Sequence, residues 1–227
     1  MNHEATFVPH LSILEKPQRI LWLELDATPD HFTLYGGTAI ALRLGHRGSI
    51  DFDFFSNRSF DSDQLARTVP FLHDGERVQI EANTLVCRVE RGGPVLVSFF
   101  GGLGLGQVAP RARAVGSAVN VASLLDLAGT KAAVIQKRAQ AKDYLDVDAL
   151  LQNGIDLPTM LAAGRVIYGQ QFNPLITLKA LSYFGDVPEL PAAVRERLNA
   201  SVAAVDSTRL PVLRPHAARV ETGRRAP

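Results

Sequence analysis

The chain has 227 residues, 46% of them hydrophobic and 21% charged, with a formal net charge of +1. That is enough chain for one large domain or two small ones with a buried core, and the near-neutral balance says little about partners. Its single cysteine, Cys87, excludes an internal disulfide and a cysteine zinc site. No apolar run reaches the roughly 18 residues of a membrane span, and the N-terminus carries no signal-like core, so the expectation is a cytoplasmic protein without membrane contact.

Pro17 to Leu25 is a predicted helix, with Pro17 in its first turn and Ile20, Leu21, Leu23 and Leu25 as its apolar face. Trp22 reads as packing. Phe32 to Tyr35 is a short β-prone run that ends at Gly36-Gly37. Thr38 is placed to cap a helix over Ala39 to Leu44, and Gly45 stops it. Ser49 to Phe55 alternates, with Ile50, Phe52 and Phe54 on one face and Asp51 and Asp53 on the other. Asp61 to Leu72 reads as a helix, capped by Asp61 with Gln64 and disturbed near its end by Pro70.

Arg77 to Ala82 and Thr84 to Glu90 form a predicted hairpin about Ala82-Asn83, and Cys87 fits there as a small buried hydrophobe. After a Gly92-Gly93-Pro94 turn, Val95 to Phe100 is a continuous apolar run, the pattern of a central strand. The glycine-rich run Gly101 to Gly106 follows a strand, but no amphipathic helix opens from it, so it is a loop rather than a dinucleotide cradle. Ala118 to Val121 is a predicted short edge strand. Ser123 caps a helix, with Asp126 at its third position, that runs to about Gln140. Further helices follow over Asp143 to Gln152, Pro158 to Tyr168, Pro174 to Phe184 and Pro191 to Val202. From about Ser207, prolines and scattered arginines predict a disordered tail. The expected organisation is an α+β core over 1–121, a helical region over 122–206 and a tail over 207–227.

Two stretches carry chemistry. Carboxylates at i and i+2 of a strand lie roughly 6–7 Å apart at Cα, so Asp51 and Asp53 can converge on one or two divalent cations. Gly36 and Gly37 leave room for a polyphosphate, and the Thr38 hydroxyl and first helix amides can donate to it with the dipole in support. The plainer alternative is a tight turn before a strand with solvated aspartates. The second stretch begins at Lys131, which falls on the apolar stripe of Leu124, Leu127, Ala128, Val134 and Ile135. Its ammonium either snorkels to water or binds a phosphate as a point charge. Asp143 and Asp146 share a helix face at i, i+3; by themselves they complement the helix dipole.

These stretches, GGTAIALRLGHRGSIDFDFF and DLAGTKAAVIQKRAQAKDYLDVDALL, resemble the two signatures of the AbiEii/AbiGii nucleotidyl transferase toxin family, within the nucleotidyltransferase-fold superfamily. The resemblance spans Leu34–Phe55 and Ser123–Leu151; between them only the element order agrees, and past about residue 190 nothing does. It implies a nucleotidyltransferase core, a mixed β-sheet flanked by helices, followed by a helical region. It implies transfer of a nucleoside monophosphate from a nucleoside triphosphate to a hydroxyl, with an RNA or tRNA end as the acceptor. Asp51 and Asp53 would be catalytic and hold Mg²⁺ or Mn²⁺, and Gly36, Gly37, Thr38 and Arg47 would hold phosphates. Lys131 would contact the triphosphate and Asp146 would complete the catalytic set, with Asp143, Arg138 and Lys142 as nucleotide or acceptor contacts. The family setting implies a toxin of a toxin–antitoxin or phage-defence pair, with a winged-helix antitoxin. One departure stands out: the strand Val95 to Phe100 offers Ser98 where the wider superfamily has a third carboxylate, and Glu81 and Glu90 lie only on neighbouring strands. It leaves two alternatives, a nucleotide-binding module of the same fold with little or no turnover, and an enzyme that nucleotidylates a small molecule or a protein.

Overall fold

The computed structural model describes residues 5–216, which form two compact units. One comprises residues up to Leu105 with Pro110–Ala122; the other comprises Gly106–Ala109 and the chain from Ser123 on. Within the expected tail, residues 207–216 hold turns but no helix or strand, and residues 217–227 lie outside the described residues.

The first unit is an eight-stranded mixed sheet. Its strands are β1 (Thr6–Phe7), β2 (Thr33–Tyr35), β3 (Asp51–Phe55), β4 (Glu76–Glu81), β5 (Thr84–Glu90), β6 (Pro94–Phe100), β7 (Ala112–Ala114) and β8 (Asn120–Val121), in the order β1-β7-β8-β2-β3-β6-β5-β4. Strand β3 runs antiparallel to β2 and parallel to β6. The alternation of β3 decides its faces: Phe52 and Phe54 are buried, while Asp51, Asp53 and Phe55 turn to the other side. Phe54 stacks on Phe99, and Trp22 packs toward Phe52. Each such ring taken out of water stabilises the fold by roughly 1.5–3 kcal/mol, which fixes the register and so the side to which the aspartates point.

Three helices belong to this unit: α1 (Lys16–Trp22), α2 (Gly36–Leu44) and α3 (Ser62–Thr68). Helix α1 is shorter than predicted and gives way to a 3-10 turn over Leu25–Ala27. Its buried face is Gln18, Leu21 and Trp22, flanked by Leu14 and Leu25, while Ile20 and Leu23 are 38% and 78% exposed. The 3.6-residue period selects 14, 18, 21, 22 and 25 together and turns 20 and 23 away. Helix α2 starts at Gly36, with Tyr35 at the N-cap and no side-chain cap. Thr38 therefore lies inside the first turn, contrary to the expected capping role. Asp61 does cap α3 by accepting from the Gln64 amide, and Pro70 opens a 3-10 turn where the helix has ended. Strand β8 is not an edge: it lies between β7 and β2, because β1 and β7, too short to show a period, extend the sheet beyond it. The run Gly101–Gly106 contains no helix, as expected of a loop.

The second unit is helical: α4 (Leu124–Val134), α5 (Ala141–Gln152), α6 (Leu157–Tyr168), α7 (Pro174–Leu181) and α8 (Ala192–Ala203). Ser123, Asp156 and Asn173 cap α4, α6 and α7 through their side chains. A Cβ on Gly129 would lie 2.8 Å from the backbone of Ala163 and Gly164, so α4 and α6 meet backbone to backbone where no larger residue fits. Asp126 is buried, and its carboxylate accepts from the amides of Val108 (2.7 Å) and Ala109 (3.2 Å); burial pushes its pKa up. Helix α4 stops six residues before Gln140. Its last turn tightens into i−3 bonds from Gln136 and Lys137, which lets Arg138 fold back onto α5. Among the described residues no helix is long and apolar enough to cross a membrane.

Candidate active site

Asp51 and Asp53 are half-buried on the face of β3 opposite the aromatic core. Around Asp53 the sheet places Tyr35 of β2 on one side and Ser98 of β6 on the other. Tyr35 stacks on Phe55 at 5.0 Å between centroids, an apolar wall to the side of Asp53 along the strand.

The glycine turn is built against the carboxylate. Gly36 has φ +74°, and a Cβ there would lie 2.8 Å from Asp53 Oδ2. The Asp53 carboxylate thus lies against the first residue of α2, where helix amides have no intrahelical acceptor and the dipole favours negative charge. Gly37 and Thr38 follow in the same turn. Thr38 is buried, and its hydroxyl donates to the Asp51 carbonyl and lies 2.7 Å from Ser49 Oγ. That hydroxyl is a brace between α2 and the start of β3. Arg47 is half-buried in the connection between α2 and β3, with Nη1 2.8 Å from the Gly48 carbonyl.

Among the described residues no group of three or more His, Cys, Asp or Glu side chains gathers as a metal cage. Mg²⁺ seldom uses such a cage: it keeps waters and takes one or two carboxylates together with substrate phosphates. Two carboxylates beside a side-chain-free turn at a helix N-terminus fit that pattern, so Asp51 and Asp53 are the residues that could hold the ion. The position of the third carboxylate is filled by buried Ser98, the register partner of Asp53. Glu90 lies two strands over, opposite Pro94, and Glu81 three strands over on β4. At about 4.8 Å per strand these are roughly 10 and 14 Å from β3, so neither replaces it.

In the second unit, Lys131 is 5% exposed, and its ammonium lies 2.8 Å from both Asp143 Oδ1 and Asp146 Oδ2. The snorkelling reading is therefore overturned. Arg138 Nε donates to Asp143 Oδ2 at 2.8 Å. Burial works to raise the Asp143 pKa, but the Arg138 hydrogen bond and the Lys131 charge outweigh it and hold the carboxyl below its ordinary value. Two fully buried carboxylates answered by two cations form a satisfied cluster. Lys142 is exposed on α5.

The sequence reading missed Gln18. Its amide is buried, and Nε2 donates 3.1 Å to the Ile50 carbonyl, one residue before Asp51. The signal was the one that singled out Lys131: a polar residue on an apolar stripe.

Comparison with known proteins gives a family for most of the chain. Residues 19–219 match the family described as Nucleotidyl transferase AbiEii toxin, Type IV TA system. An uncharacterized protein of Aquifex aeolicus (strain VF5) is 31% identical over 162 residues, which is 70% of this chain and 76% of that protein. The fold is similar to that of MenT4, a nucleotidyltransferase toxin from Mycobacterium tuberculosis H37Rv, with a TM-score of 0.53 and 18% identity over 84% of this chain and 83% of that one.

Proposed function

From a chain that belongs to the AbiEii nucleotidyltransferase toxin family of type IV toxin–antitoxin systems, we propose a metal-dependent transfer of a nucleoside monophosphate from a nucleoside triphosphate to a hydroxyl on an RNA or tRNA end, in the cytoplasm. The family makes the chain a nucleotidyltransferase and the toxin of a pair whose counterpart is an antitoxin; that the antitoxin carries a winged-helix domain is part of the proposal. The observation that carries the reading is the contact between turn and carboxylate: Gly36 lies against Asp53 Oδ2, with Asp51 two residues away on the same face.

In this reading the amides of Gly36, Gly37 and Thr38 receive the β- and γ-phosphates, and Arg47 adds charge beside them. Asp51 and Asp53 hold a divalent cation, Mg²⁺ or Mn²⁺. When bound, that ion neutralises charge on the phosphates and orients the attacking and leaving oxygens. Ser98 is a poor general base, so Asp51 and Asp53 with the ion must suffice, or Asp146 supplies the missing charge. The family's second signature gives Lys131, Asp143, Asp146, Arg138 and Lys142 their part in nucleotide or acceptor binding, with Lys131 neutralising the charge that develops on the phosphates. The test is incorporation of label from each nucleoside triphosphate into an acceptor panel, with total tRNA first and small molecules and proteins alongside, at varied Mg²⁺ and Mn²⁺. Label in RNA supports the reading; label only in a small molecule or protein assigns the other acceptor class. Binding of triphosphate without any transfer favours the non-catalytic module, whose structural motive is Ser98 beside Asp53.

A further inference from the structure

Ser49 and Ile50, which lead into β3, and Asp51, its first residue, are each held by a side chain from a preceding helix. Thr38 of α2 holds Ser49 Oγ and the Asp51 carbonyl, and Gln18 of α1 holds the Ile50 carbonyl. Gln18 is the unexpected member. Its place on α1 is apolar by period, between Leu14 and the pair Leu21 and Trp22, and it is 3% exposed. Only one end of its amide is used: Oε1 is buried with no hydrogen-bond partner. A half-satisfied amide in a core is worse for stability than a hydrophobe of the same shape. A residue that fits neither the period nor the stability of its helix points to a task elsewhere, and the carbonyl it holds belongs to the peptide that joins Ile50 to Asp51.

We propose that Gln18 is a positioning residue for Asp51: its amide fixes the Ile50–Asp51 peptide and through it the direction of the Asp51 carboxylate toward the cation. The inference rests on the assignment of Asp51 as a metal ligand. Ile50 is itself 57% exposed, so its side chain does little to hold that peptide in place. With Gln18 removed, Thr38 remains as the brace at Asp51, and the Ile50 carbonyl before it loses its side-chain donor.

The test uses the full chain as Gln18→Met and Gln18→Leu, with Asp51→Asn as reference and circular dichroism as the folding control. Mn²⁺ alone is titrated without nucleotide, and the free ion is read by electron paramagnetic resonance. The dissociation constant for Mn²⁺ should rise about 10-fold in both Gln18 variants, the low end for loss of a supporting contact behind a ligand. Their Tm should be equal to wild type or higher, since a half-used buried amide has been replaced by a hydrophobe and the carbonyl left without it belongs to the exposed Ile50, within reach of water. A purely structural Gln18 gives the reverse, a lower Tm with the wild-type Mn²⁺ constant, and that result overturns the proposal. If Asp51→Asn also binds Mn²⁺ like wild type, it is the metal assignment of Asp51 that fails, a separate outcome from an unchanged Gln18 variant beside a weakened Asp51→Asn.

Discussion

Asp53 and Gly36 are in contact: the carboxylate Oδ2 occupies the place where a side chain on Gly36 would begin, 2.8 Å from an ideal Cβ. Gly36 also has φ +74°, where an L side chain costs roughly 1–2 kcal/mol. Gly36→Ala should therefore destabilise the protein by about that much and push the Asp53 carboxylate aside. Denaturant unfolding and labelled-nucleotide transfer measure the two effects. The expected result is a loss of transfer larger than the small loss of stability can explain.

Thr38 separates bracing from phosphate binding. Its buried hydroxyl is held by Asp51 and Ser49, so Thr38→Val leaves a part-buried carbonyl without this donor, at about 1–3 kcal/mol. Thr38→Ser keeps the hydroxyl and should lose only about 1 kcal/mol, for the missing methyl. Both stabilities come from urea titration. Equal stability for the two variants would mean that the hydroxyl does not brace β3.

Lys131 sets a pH-dependent prediction. Lys131→Met removes an ammonium from two fully buried carboxylates, a change of the kind that costs about 3–5 kcal/mol. The Asp143 pKa lies below its ordinary 3.8 in the folded protein. A depressed folded pKa adds stability that is present above the unfolded value and lost as pH falls through the folded one. In Lys131→Met that depression is reduced, and protonation relieves the uncompensated charge. The deficit against wild type should be greatest at neutral pH and shrink as pH falls toward about 4. Urea titrations at both pH values check it; a deficit independent of pH would contradict the ion-pair account.

Much of this was legible because strong local rules agreed. The alternation of Asp51 to Phe55, the Asp61 and Ser123 caps and the hairpin about Asn83 are each fixed by a few neighbouring residues, and the structure follows them. What was not legible depended on partners far along the chain. Thr38 looks like a cap until the Asp51 carbonyl is seen beside its hydroxyl. Lys131 looks like a snorkelling lysine until Asp143 and Asp146 fold onto it. Strand β8 reads as an edge strand because β1 and β7, which lie beyond it, are too short to show alternation. Gln18 was visible as a break in the α1 stripe, but its meaning required the Ile50 carbonyl.

The most direct test of the central claim is transfer of labelled nucleotide to RNA by Asp53→Asn, with circular dichroism as the folding control. The change keeps the side-chain shape and removes one negative charge from the proposed cation site. The account predicts a folded protein whose transfer falls by at least about 10²-fold, with Asp51→Asn alike and the double variant little worse, because the two carboxylates act on the same ion. Wild-type transfer by a folded Asp53→Asn protein would mean that the chemistry takes place elsewhere in the chain.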